Sequence, residues 1–392
     1  MNLHNLGLKS YGRAGNYMSD IIISGYYGLG NSGDEALLKS IISDIKSINP
    51  DITITALSGN AKLTEKLYGI KTISRTNPFL ILREFRKAKL LLSGGGTLIQ
   101  DATSTKSLIY YLGLISLAKK MGMKVMLYAN GMGPIKDKNI KRVHKVLNEV
   151  ELITLRENTS LDEIKRCSIT NPRVVITADP AFNLVPSPMQ SADKILKEYG
   201  INEEEKIVAV SVRECSGIGE NFEEELANAL DVIAQMGYFP VFIPMQMKTD
   251  LDISLRVAAK MKENSKIIDC ELSVSDMLSI IGRCSIACGM RLHMLIFASV
   301  MNVPMAGIAY DPKIKGFMEY MNQKNYIELE KFEGEKFAKI LKTVLNNREK
   351  LREELQKDSV PLREKAKKNA YLALELIGMG KAFNTATLKK KL

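Results

Sequence analysis

Short β-branched runs alternate with helical stretches twice along the chain, and this alternation limits the fold more than any other feature. In the first series Ile21–Ser24, Ile52–Leu57, Leu90–Ser93, Val125–Tyr128, Leu152–Thr154 and Val174–Thr177 read as strands. Asp34–Ile48, Phe79–Lys87, Thr105–Met121, Asn139–Glu149 and Asn158–Arg166 read as the helices between them. Asp179-Pro180 and Pro186-Ser187-Pro188 then break the series with turn chemistry. It resumes with strands at Ile207–Val212, Phe239–Ile243, Lys266–Ile268, Ser285–Cys288 and Met305–Ala309. The matching helices are Phe222–Met236, Leu251–Lys262, Ser275–Ile281, Leu292–Val300 and Lys313–Met321. Strands that alternate with helices build βαβ units and a mostly parallel sheet. The expected fold class is therefore α/β, with two Rossmann-like, doubly wound parallel-sheet domains facing a cleft. Residues 20–185 and 186–355 form the two domains in this reading, after a flexible leader at 1–19. Residues 356–392 carry a long helix from about Pro361 to Gly378 and a basic tail at Lys389–Lys391.

Other architectures are excluded by composition. At 392 residues, with 45% hydrophobic and 25% charged residues, the chain is neither disordered nor fibrous. Five Cys, an odd number in a long chain, argue against a disulfide framework. Cys284 and Cys288 lack the C-x-x-C spacing of a zinc knuckle and read as buried small residues. The longest apolar stretches, Ser107–Ala118 and Met294–Tyr310, are too short or too interrupted to span a bilayer, and the leader lacks the apolar core of a signal peptide. A soluble, cytoplasmic protein is expected. Lys plus Arg is 55 against 44 for Asp plus Glu, a net charge of +11. That excess favours an acidic partner: nucleic acid, an anionic membrane surface or a phosphorylated substrate.

In open α/β sheets the ligand lies beyond the carboxyl ends of the strands, so the residues that follow each strand matter most. The first strand runs into Gly25-Tyr26-Tyr27-Gly28-Leu29-Gly30-Asn31-Ser32-Gly33-Asp34-Glu35, which opens a helix. It satisfies G-x-G-x-x-G formally, but Asp34 and Glu35 repel a phosphate and suit sugar hydroxyls better. Ser93-Gly94-Gly95-Gly96 marks another close backbone approach, and Ala129-Asn130-Gly131-Met132-Gly133-Pro134 a third. Leu155-Arg156-Glu157 and Val212-Arg213-Glu214 each deliver an Arg at a strand end. Cys288-Gly289-Met290-Arg291-Leu292-His293 places an Arg and a His where a strand gives way to a helix, a natural phosphate seat. Tyr310-Asp311-Pro312-Lys313 sets a Lys at another helix start. Of three His, His4 lies in the leader and His144 among Lys141, Arg142 and Lys145 on a solvated helix. His293 alone has a Gly/Arg context, and an ordinary imidazole pKa near 6.5 suits proton transfer at neutral pH.

These segments, together with Ala178-Asp179-Pro180 and Ser211-Val212-Arg213, resemble the polysaccharide pyruvyltransferases over about residues 20–350. Among them the chain looks most like the CsaB-type enzymes of secondary cell wall polymer assembly. The resemblance implies a GT-B-like fold and transfer of pyruvate from phosphoenolpyruvate to a sugar as a cyclic ketal, with release of phosphate. For CsaB-type members it implies an N-acetylmannosamine acceptor ketalised across its 4- and 6-hydroxyls, carried on a lipid diphosphate at the inner face of the membrane and serving S-layer anchoring. No cofactor is expected, and the lack of a zinc-like cluster in the sequence fits a metal-free reaction. The donor needs cations with fork geometry. On this reading His293, Arg291 and Lys313 are catalytic: His293 is the general acid or base, and Arg291 and Lys313 hold phosphate or carboxylate. Arg213, Arg156 and Gly289 line the donor site, and Asn31, Asp34, Glu35, Gly95 and Gly96 the acceptor site.

A sugar-nucleotide glycosyltransferase of the same fold is the alternative enzyme. Arg291, His293 and Lys313 stand where such an enzyme would carry an acidic residue for the donor ribose. A nucleic-acid-binding protein would interleave basic residues with exposed aromatics, whereas Arg83–Lys89 and Lys136–Lys145 carry few. A sugar-binding module without catalysis would not require the Arg291–His293 arrangement. No nucleic-acid partner is expected. Peripheral attachment to an anionic membrane would draw on the charges outside the cleft.

Overall fold

The computed structural model describes residues 19–380 apart from 103 and 216. Residues 1–18 of the expected leader, with His4, and the Lys389–Lys391 tail lie outside the described residues. The first series of elements is β1 (Ile21–Ser24), α1 (Ser32–Ile48), β2 (Ile54–Ser58), α2 (Ala61–Tyr68), β3 (Lys71–Ser74), α3 (Pro78–Phe85), β4 (Leu90–Gly94), α4 (Thr105–Lys120), β5 (Lys124–Asn130), α5 (Asp137–Leu147), β6 (Leu152–Leu155), α6 (Ser160–Arg166) and β7 (Arg173–Ile176). Its strands form one parallel sheet in the order β3-β2-β1-β4-β5-β6-β7. The second series is α7 (Met189–Glu198), β8 (Ile207–Ser211), α8 (Phe222–Ala234), β9 (Phe239–Phe242), α9 (Met247–Lys260), β10 (Lys266–Ile267), α10 (Val274–Gly282), β11 (Ile286–Gly289), α11 (Leu292–Val300), β12 (Met305–Ala309), α12 (Pro312–Tyr320), β13 (Tyr326–Glu328), α13 (Gly334–Asn346) and α14 (Arg348–Leu376). Its sheet is also parallel, ordered β10-β9-β8-β11-β12-β13. This is the expected α/β fold with two doubly wound sheets.

Both sheets carry helices on both faces, which explains strands such as β1, Ile-Ile-Ile-Ser, that are buried at every position. A short helical segment, α7, follows the break at Pro186-Ser187-Pro188, and four further elements escape the sequence pattern. In α2 only Thr64 is buried, while Leu63 and Leu67 face solvent, so no apolar stripe marks it as a helix. The strand β3 is four residues long at a sheet edge, and β13 is three at the other. The fourth is α13. The long C-terminal helix starts at Arg348 rather than near Pro361 and runs through that proline, whose exposed position lets the ring face solvent at the loss of one backbone bond.

That helix ties the two sheets together. Leu355, Leu362 and Ala366 enter the core of the second sheet, and Ala370, Leu372, Ala373 and Leu374 enter that of the first. Asn369 donates to the Ala178 carbonyl at 3.2 Å and accepts from Thr177 at 2.9 Å.

Strand order reverses between β1 and β4 and again between β8 and β11. Loops leaving these strands part from one another and open a crevice. The two crevices face each other. The Ser32 amide donates to the Met245 carbonyl at 2.8 Å, and Asn31 pairs with Gln246 as an isolated bridge. The loop after β1 thus meets the loop after β9 at the rim of one cleft.

Candidate functional site

The second-sheet wall of the cleft is built where β11 ends. At Gly289 a Cβ would lie 2.0 Å from the Ser211 carbonyl oxygen, and its φ of 143° suits glycine alone. The chain turns there into α11, with Arg291 as its N-cap residue and His293 in its first turn. Across the cleft, α1 starts because the Asn31 side chain accepts the amides of Gly33 and Asp34. Gly33 abuts the imidazole so closely that a Cβ there would lie 2.1 Å from Nδ1. His293 Nε2 is enclosed and has no hydrogen-bond partner. A buried polar atom without a partner costs free energy, and such atoms mark places where a ligand completes the bonding.

Burial pushes the His293 pKa down to about 4; Asp179 opposes this, while Arg156, Lys313 and Arg291 add to it. The imidazole is therefore neutral at pH 7, which corrects the expectation of an ordinary value near 6.5. Asp34 moves the other way. Burial, helped by Glu35, pushes its carboxyl up to about 7 against the pull of Arg156, Lys313 and Arg291. The same three cations act on both groups, so Asp34 and His293 share one electrostatic neighbourhood. A neutral base beside a carboxyl that titrates near neutrality is the arrangement that lets one site run acid and base steps together.

Four cations named from the sequence occur here in two kinds. Arg156 is buried and already neutralised: Nε binds Glu157 at 2.8 Å and Nη1 binds Asp179 at 2.8 Å. Arg291 is likewise buried, with Nε on Asp250 Oδ2 at 2.8 Å, Nη2 on Asp250 Oδ1, and further contacts to Gln246 and Thr249. These two arginines fix loops and project a field. Arg213 and Lys313 flank one ring, Tyr310. Arg213 donates to the Tyr310 hydroxyl at 2.6 Å with its guanidinium 4.8 Å from the ring centroid, and Lys313 stands 5.8 Å from the same centroid. Arg213 has no carboxylate partner among the described residues, and Lys313 pairs only with the half-exposed Asp311 at 3.2 Å. They are the cations best free to take an anion. From sequence alone Arg291 ranks ahead of Arg213, and Asp250 carries no signal beyond its place in the first turn of α9, four residues past Gln246.

The first-sheet residues also divide. Glu35 is engaged on both oxygens, by the Gly28 amide at 2.7 Å and the Tyr68 hydroxyl at 2.8 Å, and so braces the loop after β1. The side-chain oxygen of Asn31 is spent on the helix cap. Asp34 remains open to the cleft. Gly95 and Gly96 both have positive φ, near 70°, and Gly96 lies under Asp34, where a Cβ would be 3.4 Å from Oδ1. His144 lies away from the cleft, exposed, with Nδ1 near the Cys167 and Ser168 carbonyls. Cys284 and Cys288 are buried, as expected. No helix among the described residues is long and apolar enough to cross a membrane.

The family model for polysaccharide pyruvyl transferase matches residues 31–312, a span that runs from the α1 cap to the first residue of α12 and includes Asp34, Arg156, Arg213, Arg291 and His293. The chain belongs to the polysaccharide pyruvyl transferase family. A curated relative, the amylovoran biosynthesis protein AmsJ of Erwinia amylovora, is 22% identical over 222 residues, covering 52% of this chain and 53% of the relative. The chain thus spans about half the length of that relative. Among solved structures, the S. aureus MnaA–UDP structure superposes with a TM-score of 0.65 at 12% identity, over 92% of this chain and 98% of that one. The Anabaena Alr3699/HepE structure in complex with UDP-glucose gives 0.58 at 12%, over 94% and 99%. These likenesses show a GT-B-like fold. The pyruvyl transferase match covers both walls of the cleft, Asp34 on one side and His293 on the other.

Proposed function

We propose that this pyruvyl transferase moves pyruvate from phosphoenolpyruvate to an N-acetylmannosamine residue of a lipid-diphosphate-linked cell wall polymer precursor. The product is a 4,6-ketal, and phosphate is released. What supports the reading is the polysaccharide pyruvyl transferase match over residues 31–312, together with a cleft in which His293 and Asp34 meet the same three cations, Arg156, Arg291 and Lys313.

In this mechanism Arg213 and Lys313 take the donor's phosphate and carboxylate. A protonated Asp34 gives its proton to the donor methylene carbon, and C2 becomes electron-deficient. One sugar hydroxyl attacks C2 and loses its proton to His293. The second hydroxyl closes the ring as the C2–O bond to phosphate breaks. Two hydroxyl protons are lost in all: one replaces the proton given to the methyl group, and the other leaves with phosphate. A donor dianion beside His293 raises its pKa, so the imidazole becomes a better base once the site is loaded. The net charge of +11 supports a protein held at the inner, anionic face of the membrane, where such an acceptor resides.

The test is phosphate release with phosphoenolpyruvate and an N-acetylmannosamine-containing acceptor, for wild type and His293→Ala side by side. A ketal product from wild type alone is expected. Turnover with UDP-sugars and none with phosphoenolpyruvate would replace this reading with glycosyl transfer.

A further inference from the structure

Arg75 follows β3 at its carboxyl end, and three tyrosine rings enclose its guanidinium. The carbon at its centre is 5.7 Å from the Tyr26 ring centroid, 4.8 Å from that of Tyr110 and 5.7 Å from that of Tyr111. Nη2 donates to the Tyr111 hydroxyl at 3.3 Å, and the Tyr110 hydroxyl donates to the Arg75 carbonyl at 2.8 Å. Nη1 is enclosed and has no hydrogen-bond partner. No carboxylate pairs with Arg75 among the described residues, whereas buried Arg156 and Arg291 each hold carboxylate oxygens at two nitrogens. Ring faces attract a cation but offer no lone pair to Nη1, so both charge and bonding remain incomplete.

The cage belongs to the acceptor wall. Tyr26 lies in the loop after β1, Arg75 after β3, and Tyr110 and Tyr111 in the second turn of α4, which follows β4. The loops after β1 and β3 leave the first sheet at its carboxyl edge, and α4 brings Tyr110 and Tyr111 against Arg75. Asp34, on the same wall, acts electrostatically on Tyr111. Tyr26 is the most exposed of the three rings, 37% accessible. It offers a face on which a pyranose can stack, and it is the ring that must shift for an oxygen to reach Nη1.

We propose that Arg75, with Tyr26, Tyr110 and Tyr111, is a subsite for an oxyanion borne directly on a sugar ring: a glycosyl phosphate or diphosphate. A phosphate group supplies both the negative charge and the in-plane lone pairs that a guanidinium fork takes best. The rings take the sugar attached to it. Arg75 thereby sets how far the acceptor saccharide extends from its anionic link to the reacting hydroxyls at Asp34. This rests on the reading that the cleft takes a saccharide acceptor.

The chain contains no tryptophan, so Tyr26→Trp creates a single fluorescent reporter at the cage. It is titrated, without phosphoenolpyruvate, with a sugar 1-diphosphate, the neutral methyl glycoside of the same sugar, and inorganic diphosphate. The sugar diphosphate is expected to bind at least tenfold tighter than either of the others, and adding Arg75→Gln should erase its advantage over the glycoside. Calorimetry on wild type and the single Arg75→Gln variant, each checked by circular dichroism, repeats the comparison without the reporter. Arg75→Lys, which keeps the charge and loses the fork, should fall between. Equal binding of charged and neutral sugar, or a preference that survives Arg75→Gln, overturns the proposal. Inorganic diphosphate binding as tightly as the sugar diphosphate overturns its sugar half. These titrations do not require turnover: a cage that discriminates in a protein without pyruvyl transfer would refute the proposed reaction and keep the subsite, and the converse result would do the opposite.

Discussion

Gly33, in the first turn of α1, touches His293, in the first turn of α11, so closely that one added methyl carbon would lie 2.1 Å from Nδ1. Two helix starts from two different sheets meet at a glycine and an imidazole. The first sheet therefore positions the imidazole that the second sheet supplies. Gly33→Ala must displace the ring or part the sheets. A fall in kcat of about 100-fold is expected, since a misplacement near 1 Å costs that much, with a smaller change in KM for phosphoenolpyruvate. Steady-state kinetics would show it, and unchanged kcat would mean that the ring position is irrelevant to turnover.

The pH profile of kcat/KM should be bell-shaped, because the base must be unprotonated and the acid protonated in the free enzyme. The limbs are expected near 4 for His293 and near 7 for Asp34. His293→Ala should lower kcat by roughly 100- to 10,000-fold, the usual range for a positioned acid or base. A profile still rising at pH 8 would remove Asp34 as the proton donor.

Stability should respond to Asp34 in a direction opposite to function. Its folded pKa is raised, from an ordinary 3.8 to about 7. Below pH 3.8 both folded and unfolded chains hold the proton and nothing is lost. Between 3.8 and 7 the unfolded chain ionises first, so the folded state loses stability progressively; above 7 the loss is complete. Asp34→Asn should therefore raise the melting temperature more at pH 8 than at pH 5, while reducing turnover. His293 has the mirror behaviour, its cost growing as pH falls from 6.5 to about 4. Thermal melts at the two pH values check both signs.

The division of the cations gives separable phenotypes. Arg213→Gln and Lys313→Ala should raise KM for phosphoenolpyruvate at least tenfold and leave the melting temperature nearly unchanged. Asp250→Asn strips a buried arginine of its carboxylate and should destabilise the fold by roughly 3–5 kcal/mol. Denaturant titration beside donor kinetics separates the two; a stable Asp250→Asn protein would mean that Arg291 is solvated.

Sedimentation with anionic vesicles, with and without added salt, tests attachment to a membrane surface. Salt-sensitive pelleting is expected. No pelleting at low salt would leave the net charge without that role.

The alternation of strands and helices was legible because short continuous β-branched runs and turn residues are local signals. Edge elements were not: Lys-Thr-Ile-Ser at β3 and Tyr-Ile-Glu at β13 are too short for a pattern. Residues at strand ends were legible as candidates, since topology alone sends them to the cleft, and His293 and Asp34 both lie there. Their charge states were not, because those depend on burial and on cations from distant segments. The same holds for the distant carboxylates on Arg156 and Arg291, although Glu157 stands next to Arg156 in the sequence. Asp179 and Asp250 are 23 and 41 residues away from their arginines in sequence, so only the assembled fold distinguishes a committed arginine from an available one. Arg75 carried no signal at all until three tyrosines from separate segments surrounded it.

The helix α14 imposes an order on biosynthesis. Ala370, Leu372, Ala373 and Leu374 complete a face of the sheet whose first strand begins at Ile21. During translation, roughly 350 residues separate the emergence of that strand from the arrival of the side chains that cover it. The N-terminal half must wait with an apolar face open, exposed to chaperones or to neighbouring chains. Pulse-labelled nascent chains stalled before residue 366 should remain protease-sensitive in the first sheet, and chains released past residue 376 should not.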